Sequence, residues 1–191
     1  MPTGVHIQDA REQLFQAAER VLRRAGPSAL TSRAVTAEAG VAKGVLHRHF
    51  ADFDDFLAEL VHDRARRVDI DSIGLHASAG TNTVVDNLAD TLTAVFESVA
   101  VSIVAVITFR DELRARLRES WPTGVPILAE AVNMIDSYLR AEQTHGRIAD
   151  DADTITLAAT LIGAAHLLFA DRTGLPPTRE DVRGIIANAL R

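Results

Sequence analysis

The stretch from Thr31 to Phe50 most constrains how this chain folds, because it combines two helix signals and one turn signal in a short segment. Thr31 is a preferred N-cap residue, and Gly40 is a preferred residue just after the last turn of a helix. A second short helix then opens near Ala42 or Lys43. Two short helices across a tight turn have the outline of a helix-turn-helix, which places its second helix in the major groove of DNA.

Lys43 is the only lysine of the chain, and it lies just inside the second of these helices. A helix-turn-helix inserts that end of the helix into the groove. The apolar residues of the segment would hold both helices at a fixed angle on the helix before them, and these are Val35, Ala39, Val41, Leu46 and Phe50. The polar residues left on the outer face are Ser32, Arg33, Lys43, His47 and Arg48.

Helical spacing and helix stops continue along the whole chain and predict an all-α fold of about nine helices. Apolar residues from Leu14 to Ala25 fall at three- and four-residue steps, and Gly26-Pro27 ends that first helix. Asp52 is the predicted N-cap of a fourth helix, and the small residues from Gly74 to Gly80 are a predicted break. The later helices are predicted at 82–109, 111–119, 125–144, 153–171 and 178–190.

The most apolar run, from Ala94 to Phe109, predicts a buried core helix. It is shorter than the roughly 18 to 20 residues needed to cross a bilayer, and Glu97 interrupts it. Its β-branched residues would also suit a strand, but no turn with a partner run flanks it. We therefore expect no membrane partner.

Charge and composition limit the class of protein. With 47% hydrophobic and 24% charged residues, the chain has the balance of a folded globular protein. A net charge of -6 argues against DNA, but residues 1–60 carry 7 Lys/Arg against 8 Asp/Glu, so the acidic excess lies mainly downstream. The first residues show no secretory signal, and a cytoplasmic location is the default expectation.

Enzyme chemistry finds no support in the motifs. The chain has no cysteine, and no pair of its 7 histidines has the His-Glu-x-x-His frame of a zinc site. Phosphate-binding loops and nucleophile turns are absent as well. Acidic pairs such as Asp54-Asp55 stand at predicted helix starts, where they stabilise the helix dipole. We expect no catalytic residue, no metal site and no cofactor.

The segment GVAKGVLHRHFADFDDFL, from Gly40 to Leu57, resembles the signature of TetR-family transcriptional regulators. The positions that match in register are Gly40, Val41, Lys43, Gly44, Leu46, His49 and Phe50. The resemblance implies a three-helix DNA-binding domain over 1–51 and a larger helical domain over 52–191 that binds a small molecule and dimerises. It implies a regulator, most often a repressor, that binds a palindromic operator as a homodimer and is released by its ligand.

Carried over by position, the resemblance assigns roles to the matched segment. Lys43 and Gly44 would face base edges, with Gly44 allowing a close backbone approach. The places that meet phosphate or the groove wall would be taken by Ser32, Ala42, Val45, His47, Arg48 and His49. His49 would equally well stabilise the turn, and Arg33 is either a DNA neighbour or a solvated residue of the second helix.

Three residues depart from the family pattern. His47 replaces the usual tyrosine, and Phe53 replaces a lysine that contacts phosphate at the start of the fourth helix. Thr36 stands where a small alanine is preferred at a helix crossing. These departures concern operator affinity and choice, whereas the fold is expected to stay the same.

The resemblance implies that the larger domain holds a small effector, and because such sites are mostly apolar with a few polar groups, we expect an apolar or amphipathic molecule. Candidate pocket residues are Phe96, Phe109, Trp121, Met134, Tyr138 and His166, although bulky residues at helical spacing are usually core. Helices 153–171 and 178–190 resemble the pair that forms a four-helix bundle with a second subunit. A rival hypothesis is a regulator of the same fold controlled by a protein partner, or by nothing, whose larger domain only dimerises.

Overall fold

A computed structural model of the chain describes residues 4–97, 100–170 and 175–191, with side chains from residue 10 onward. The described residues form ten α-helices, one short 3-10 turn at Pro27–Ala29 and no strand, which confirms the all-α prediction. The helices are α1 (Gly4–Ala25), α2 (Ser32–Glu38), α3 (Gly44–His49), α4 (Phe53–Ala77), α5 (Val84–Glu97), α6 (Ala100–Thr108), α7 (Asp111–Leu117), α8 (Leu128–Thr144), α9 (Thr154–Ala170) and α10 (Arg179–Ala189).

One predicted helix limit is wrong, and one predicted helix runs over residues that the structure does not describe. The helix expected at 82–109 is described as α5 and α6, and residues 98–99 between them lie outside the described residues. The break expected from Gly74 begins later, because α4 runs on to Ala77 and the turn is formed by Gly80 and Asn82, with φ of 77° and 46°.

The chain divides into two compact units, which are described separately. Unit 1 comprises residues 1–63 and 102–123, and unit 2 comprises residues 64–101 and 124–191. In unit 1, α1 packs on α2 and on the 3-10 turn, and α2 packs on α3. The side chains that form this core are buried: Leu14, Ala18, Val21, Leu22, Val35 and Leu46. The core follows the apolar spacing of α1, which turns one face toward the two short helices.

In unit 2, α8 packs on α9, and α10 packs on both α5 and α9. The buried Asn87 amide donates to the Tyr138 hydroxyl over 3.0 Å. Burial raises the pKa of Tyr138, so this hydroxyl stays protonated. At the surface, Asp86 pairs with Arg179 and Arg183 and thereby joins α5 to α10.

Among the described residues, no single helix is both long enough and apolar enough to cross a membrane.

Candidate nucleic-acid interface

Two caps fix the ends of the first short helix. The Thr31 Oγ1 accepts a hydrogen bond from the Ala34 N–H over 3.1 Å, as its predicted N-cap role requires. At the other end Gly40 has φ of 67°, which glycine adopts without strain, and the Val41 N–H donates to the Thr36 carbonyl over 3.0 Å. This closing turn directs the chain sharply from α2 into α3.

Thr36 fits its crowded position by bonding to its own helix. Its side chain is buried. Its hydroxyl can donate to either of two carbonyl oxygens of α2, that of Ser32 at 2.9 Å or that of Arg33 at 3.2 Å. A buried hydroxyl without such a partner would be destabilising. The departure at this position is therefore accommodated inside α2.

Three phenylalanines hold the end of α3. The rings of Phe15, Phe50 and Phe56 lie 5.1 to 5.9 Å apart, centroid to centroid, with Phe50 meeting Phe56 edge to face. Such pairs add about 0.5–1.5 kcal/mol each beyond the burial of their area. Phe50 caps the C-terminal end of α3, so the cluster ties α3 to both α1 and α4.

Polar side chains of α1 secure the same region. The Arg11 guanidinium lies 4.5 Å from the centre of the Phe50 ring and donates to the His49 carbonyl over 3.3 Å and to Glu59 over 2.9 Å. The Gln13 amide donates to the Ala39 carbonyl over 2.8 Å. Both side chains thus satisfy carbonyl groups near the helix ends that lack helical partners. The spacing of residues in the sequence did not predict these contacts, because each joins positions more than 25 residues apart.

The structure places most of the nine predicted DNA-binding residues on the surface of unit 1. Arg33, Ala42, Lys43, Gly44, His47 and Arg48 are exposed. Ser32, Val45 and His49 are half-buried. The hydroxyl oxygen of Ser32 is buried and has no hydrogen-bond partner among the described residues. Leu46, between the exposed positions, is fully buried and anchors α3.

The charge around α2 and α3 is locally positive. Glu38, the one acidic residue between 28 and 50, pairs with Arg20 at 2.8 Å and Arg24 at 2.7 Å, both from α1. Hydrogen bonds from Arg20 and then Arg24 lower the pKa of the Glu38 carboxyl. Its negative charge is therefore compensated on the α1 side, and the exposed cations of α2 and α3 are left to dominate the outer surface.

A second set of acids follows α3 directly. Asp52 accepts the Asp55 N–H over 2.8 Å, which confirms the predicted N-cap of α4. That backbone hydrogen bond, helped by Arg116, lowers the pKa of the Asp52 carboxyl. Arg116 pairs with Asp52, and Arg110 pairs with Asp54 at 2.7 Å. These arginines lie more than fifty residues along the chain from their acids, and no local sequence signal predicted the pairs.

Phe53 serves packing at the position where the family pattern has a lysine. Its ring stacks on Phe56 with centroids 5.6 Å apart, and the Arg110 guanidinium lies 5.5 Å from its centre. A cation over an aromatic face at this distance is attractive. The side chain is thus part of the contact between the start of α4 and Arg110.

The six predicted ligand-pocket residues do not lie in one unit. Phe109 and Trp121 belong to unit 1, whereas Phe96, Met134, Tyr138 and His166 belong to unit 2. In unit 2 the Phe96 and His166 rings are 6.1 Å apart, and Met134 and Tyr138 are buried. In unit 1 Trp121 lies 4.7 Å from the His62 ring, and Phe109 is 84% exposed.

The comparisons agree with the geometry of unit 1. Residues 14–60 match the family described as bacterial regulatory proteins, tetR family. The chain carries a TetR-family DNA-binding segment. The resemblance predicted from Gly40–Leu57 is thereby confirmed, and the match extends over α1, α2, α3 and the start of α4.

Solved structures share the fold over almost the whole chain. A TetR-family transcriptional regulator from Agrobacterium tumefaciens aligns with a TM-score of 0.71 at 13% identity, covering 96% of this chain and 97% of that one. A TetR-family member from Streptomyces coelicolor A3 gives 0.65 at 21% identity, covering 96% and 99%. SmeT, the repressor of the Stenotrophomonas maltophilia multidrug efflux pump SmeDEF, gives 0.61 at 18%, covering 94% and 88%.

The comparisons show the family of residues 14–60 and the fold of the chain. A search of curated proteins found no match. The TetR family consists of DNA-binding transcription regulators, which are generally not enzymes. Within the described residues, no group of three or more His, Asp or Glu side chains is placed to hold a metal ion.

Proposed function

We propose that this protein is a transcriptional regulator that binds a palindromic operator as a homodimer and is released by a small molecule, acting as a repressor. The TetR-family segment and fold support the regulator class. Because one short reading helix covers only a few base pairs, a two-fold dimer is the natural way to read two half-sites. The proposed site of action is the cytoplasm, where the operator DNA lies.

The observation that carries the DNA-binding proposal is the setting of Gly44. A Cβ added to Gly44 would meet nothing within 4 Å, and its backbone φ is not in the left-handed region. Neither packing nor turn geometry in the protein therefore demands glycine at the first position of α3. A close approach of DNA backbone or base edges would demand it.

The proposed contacts follow the exposed face of α2 and α3. Lys43 and Gly44 face base edges, while Ala42, Val45, His47, Arg48, His49 and Ser32 meet phosphates or the groove wall, with Arg33 nearby. Arg20 and Arg24 support the proposal, because they neutralise Glu38, the nearest acid on α2.

The proposed domain boundary lies between residues 51 and 52, where α3 has ended and the Asp52 cap of α4 begins. Ligand binding in the larger domain would move α4, which runs without a break from Phe53 to Ala77, and would change the separation of the two reading heads. Effector candidates are small apolar or amphipathic molecules. In unit 2 the Phe96, His166 and Phe169 rings lie close together, which favours an aromatic-lined site there.

Dimerisation is proposed through α9 and α10. One face of α9 is exposed and is built from small or apolar residues and threonines: Ile155, Thr156, Ala159, Thr160, Gly163, Leu167 and Ala170. Leu167 is 77% exposed. The same face of a second copy would cover these side chains. Because many of them are small, the helices of the two copies could approach closely, as in the four-helix bundle that the resemblance implies.

A second hypothesis competes with the small-molecule effector. The alternative is a regulator of the same fold that answers to a protein partner, or to nothing. SmeT is named as the repressor of an efflux pump, and another structure of similar fold, at 19% identity and a TM-score of 0.60, is named as the multidrug binding protein EbrR complexed with imidazole. Those names favour a small-molecule effector for this chain.

The first prediction concerns Lys43. The operator would first be selected from a pool of random DNA. Lys43→Ala is then expected to weaken its binding by about 1–3 kcal/mol and to relax selectivity at one base position of each half-site. Arg23→Ala, which removes an exposed cation from α1, is the matched control and should leave selectivity unchanged. Unaltered affinity and selectivity in the Lys43 variant would exclude a base contact.

The second prediction separates protein stability from DNA contact at Gly44. Because Ala is better than Gly within a helix by about 0.5–1 kcal/mol, Gly44→Ala should keep or raise the free energy of unfolding. Operator binding should nevertheless fall, since the new methyl group stands where DNA approaches. Gly74→Ala, at another helical glycine with open space around its Cα, is the control that should gain stability without losing binding. Equal operator affinity in all three proteins would refute the close approach.

The third prediction concerns the dimer. Leu167→Glu places a charge in the proposed interface and is expected to raise the dimer dissociation constant by about thirty-fold, the effect of an interface hot spot. Sedimentation equilibrium measures that constant directly. Ile70→Glu changes an exposed isoleucine of α4 in the same way and should leave it unaltered. A wild-type protein that sediments as a monomer at all concentrations would contradict the dimer itself.

The fourth prediction concerns the ligand switch. A compound that releases the operator must bind the free protein more tightly than the DNA-bound protein, and coupling of this kind is typically 5- to 150-fold. Calorimetry with and without saturating operator should therefore give two different affinities for the compound. If every compound that binds the protein has one affinity in both conditions, the rival without a small-molecule switch is correct.

A further inference from the structure

A groove of about 510 Å³ lies wholly within unit 1. One wall is the 3-10 turn and the residue that caps α2, contributing Pro27, Ser28, Leu30 and Thr31. The other wall is the end of α6 and the residues after it, contributing Ala105, Val106, Phe109 and Arg110. The volume is within the range of small-molecule sites, about 300–1,000 Å³.

The lining of the groove is mainly apolar. Leu30 and Val106 are buried beneath it, at 5% and 6% exposure, whereas Phe109 is 84% exposed at its side. An exposed phenylalanine leaves a large apolar surface in water, and a planar ring laid against it would recover that burial. The lining therefore favours an aromatic occupant.

The charged residue that lines the groove, Arg110, is already paired with Asp54. The Arg110 Nε and the terminal nitrogen of its guanidinium both bond to one oxygen of Asp54, at 2.9 and 2.7 Å. A ligand carboxylate would have to compete with Asp54 for this arginine, and an ammonium group would find the carboxylate already paired. The groove thus favours a neutral molecule.

Two hydroxyl groups supply the polar contacts. Ser28 is exposed at the groove, and Thr31 accepts the Ala34 N–H with its Oγ1, which leaves its own O–H to donate. Both groups can donate to an oxygen of the ligand. Thr31 is also the N-cap of α2, the first helix of the helix-turn-helix segment.

We propose that this groove binds a small neutral aromatic molecule bearing an acceptor oxygen, with its ring on Phe109 and its oxygen at the Ser28 and Thr31 hydroxyls. The bound molecule touches the cap of α2 and so alters the mobility of the reading segment. Operator affinity then changes by about five-fold or more, the lower end of typical coupling between sites. This last step rests on the proposed function, whereas binding in the groove does not.

Coumarin, a neutral two-ring molecule with a carbonyl oxygen, is the probe. Titrated into the full chain without DNA, it is expected to shift the backbone amide resonances of Leu30, Thr31 and Val106, with a dissociation constant of about 1 mM or below. Coumarin-3-carboxylate, its anionic analogue, should bind at least about ten-fold more weakly, because Arg110 is paired. Resonance shifts confined to other residues, or equal binding of the two compounds, would overturn the proposal.

Variants test the assignment of the site. Phe109→Ala should weaken coumarin about ten-fold while leaving the fold intact, because the ring is mostly exposed. Ala105→Leu narrows the groove from the same wall and should weaken binding as well. Ile73→Ala removes a comparably exposed apolar side chain from α4 and should have no effect. If coumarin fails to bind and Phe109→Ala instead dissociates a dimer, a second copy of the chain covers the groove and the small-molecule site is refuted.

The operator measurement is kept separate from the titration. A coumarin complex with unchanged operator affinity would refute the effect on α2, and the amide shifts would still identify the groove. Failure of the unliganded protein to bind any selected DNA would instead refute the proposed function. The two failures are distinguishable because the titration contains no DNA.

Discussion

The position of α3 depends on the packing of Phe50 between Phe15 and Phe56. A helix of six residues is not stable by itself, because it makes too few internal hydrogen bonds to offset the cost of nucleation. Leu46 of α3 and Phe50, which caps this helix, are both buried, and Phe50 joins α3 to aromatic rings of α1 and α4. The Arg11 guanidinium covers the outer face of the same ring. The exposed side of α3 therefore does not contribute to the packing of unit 1, and its side chains are available to bind a partner.

The proposed interface also depends on the ion pairs that neutralise the acidic residues near α2 and α3. A chain of net charge -6 would repel DNA if its acids faced the reading helices. Glu38 is instead paired with two arginines of α1, while Asp52 and Asp54 are paired with arginines that follow α6. The pKa of the Glu38 and Asp52 carboxyls is lowered by hydrogen bonds, so both groups keep their charge to a more acidic pH than an unpaired carboxyl would. Seven residues take part in these ion pairs, and the exposed cations of α2 and α3 therefore face little opposing charge.

The sequence predicted the parts of this fold that depend on local chemistry. Thr31, Gly40 and Asp52 act as the caps and the turn that their side chains or conformational freedom favour, and these contacts span only a few residues. Contacts between segments that are distant in the sequence carry no such local signal. The same limit applies to the ion pair of Arg116 with Asp52 and to the exposed Phe109, both of which depend on how distant segments meet. Apolar character alone placed Phe109 in a core or pocket, and only the structure shows it beside a groove.

Phe53 shows how these constraints combine at one position. A lysine there would add a phosphate contact, yet the phenylalanine ring instead stacks on Phe56 and lies under the Arg110 guanidinium that pairs with Asp54. The position therefore strengthens the packing that holds α3, and Arg110 also forms part of the groove wall. Because phenylalanine makes no ionic contact with phosphate, this position adds no counterion release to the proposed DNA complex. In the proposed complex, selectivity comes from Lys43 and from the close approach at Gly44, and both depend on the position of α3 that the aromatic packing fixes.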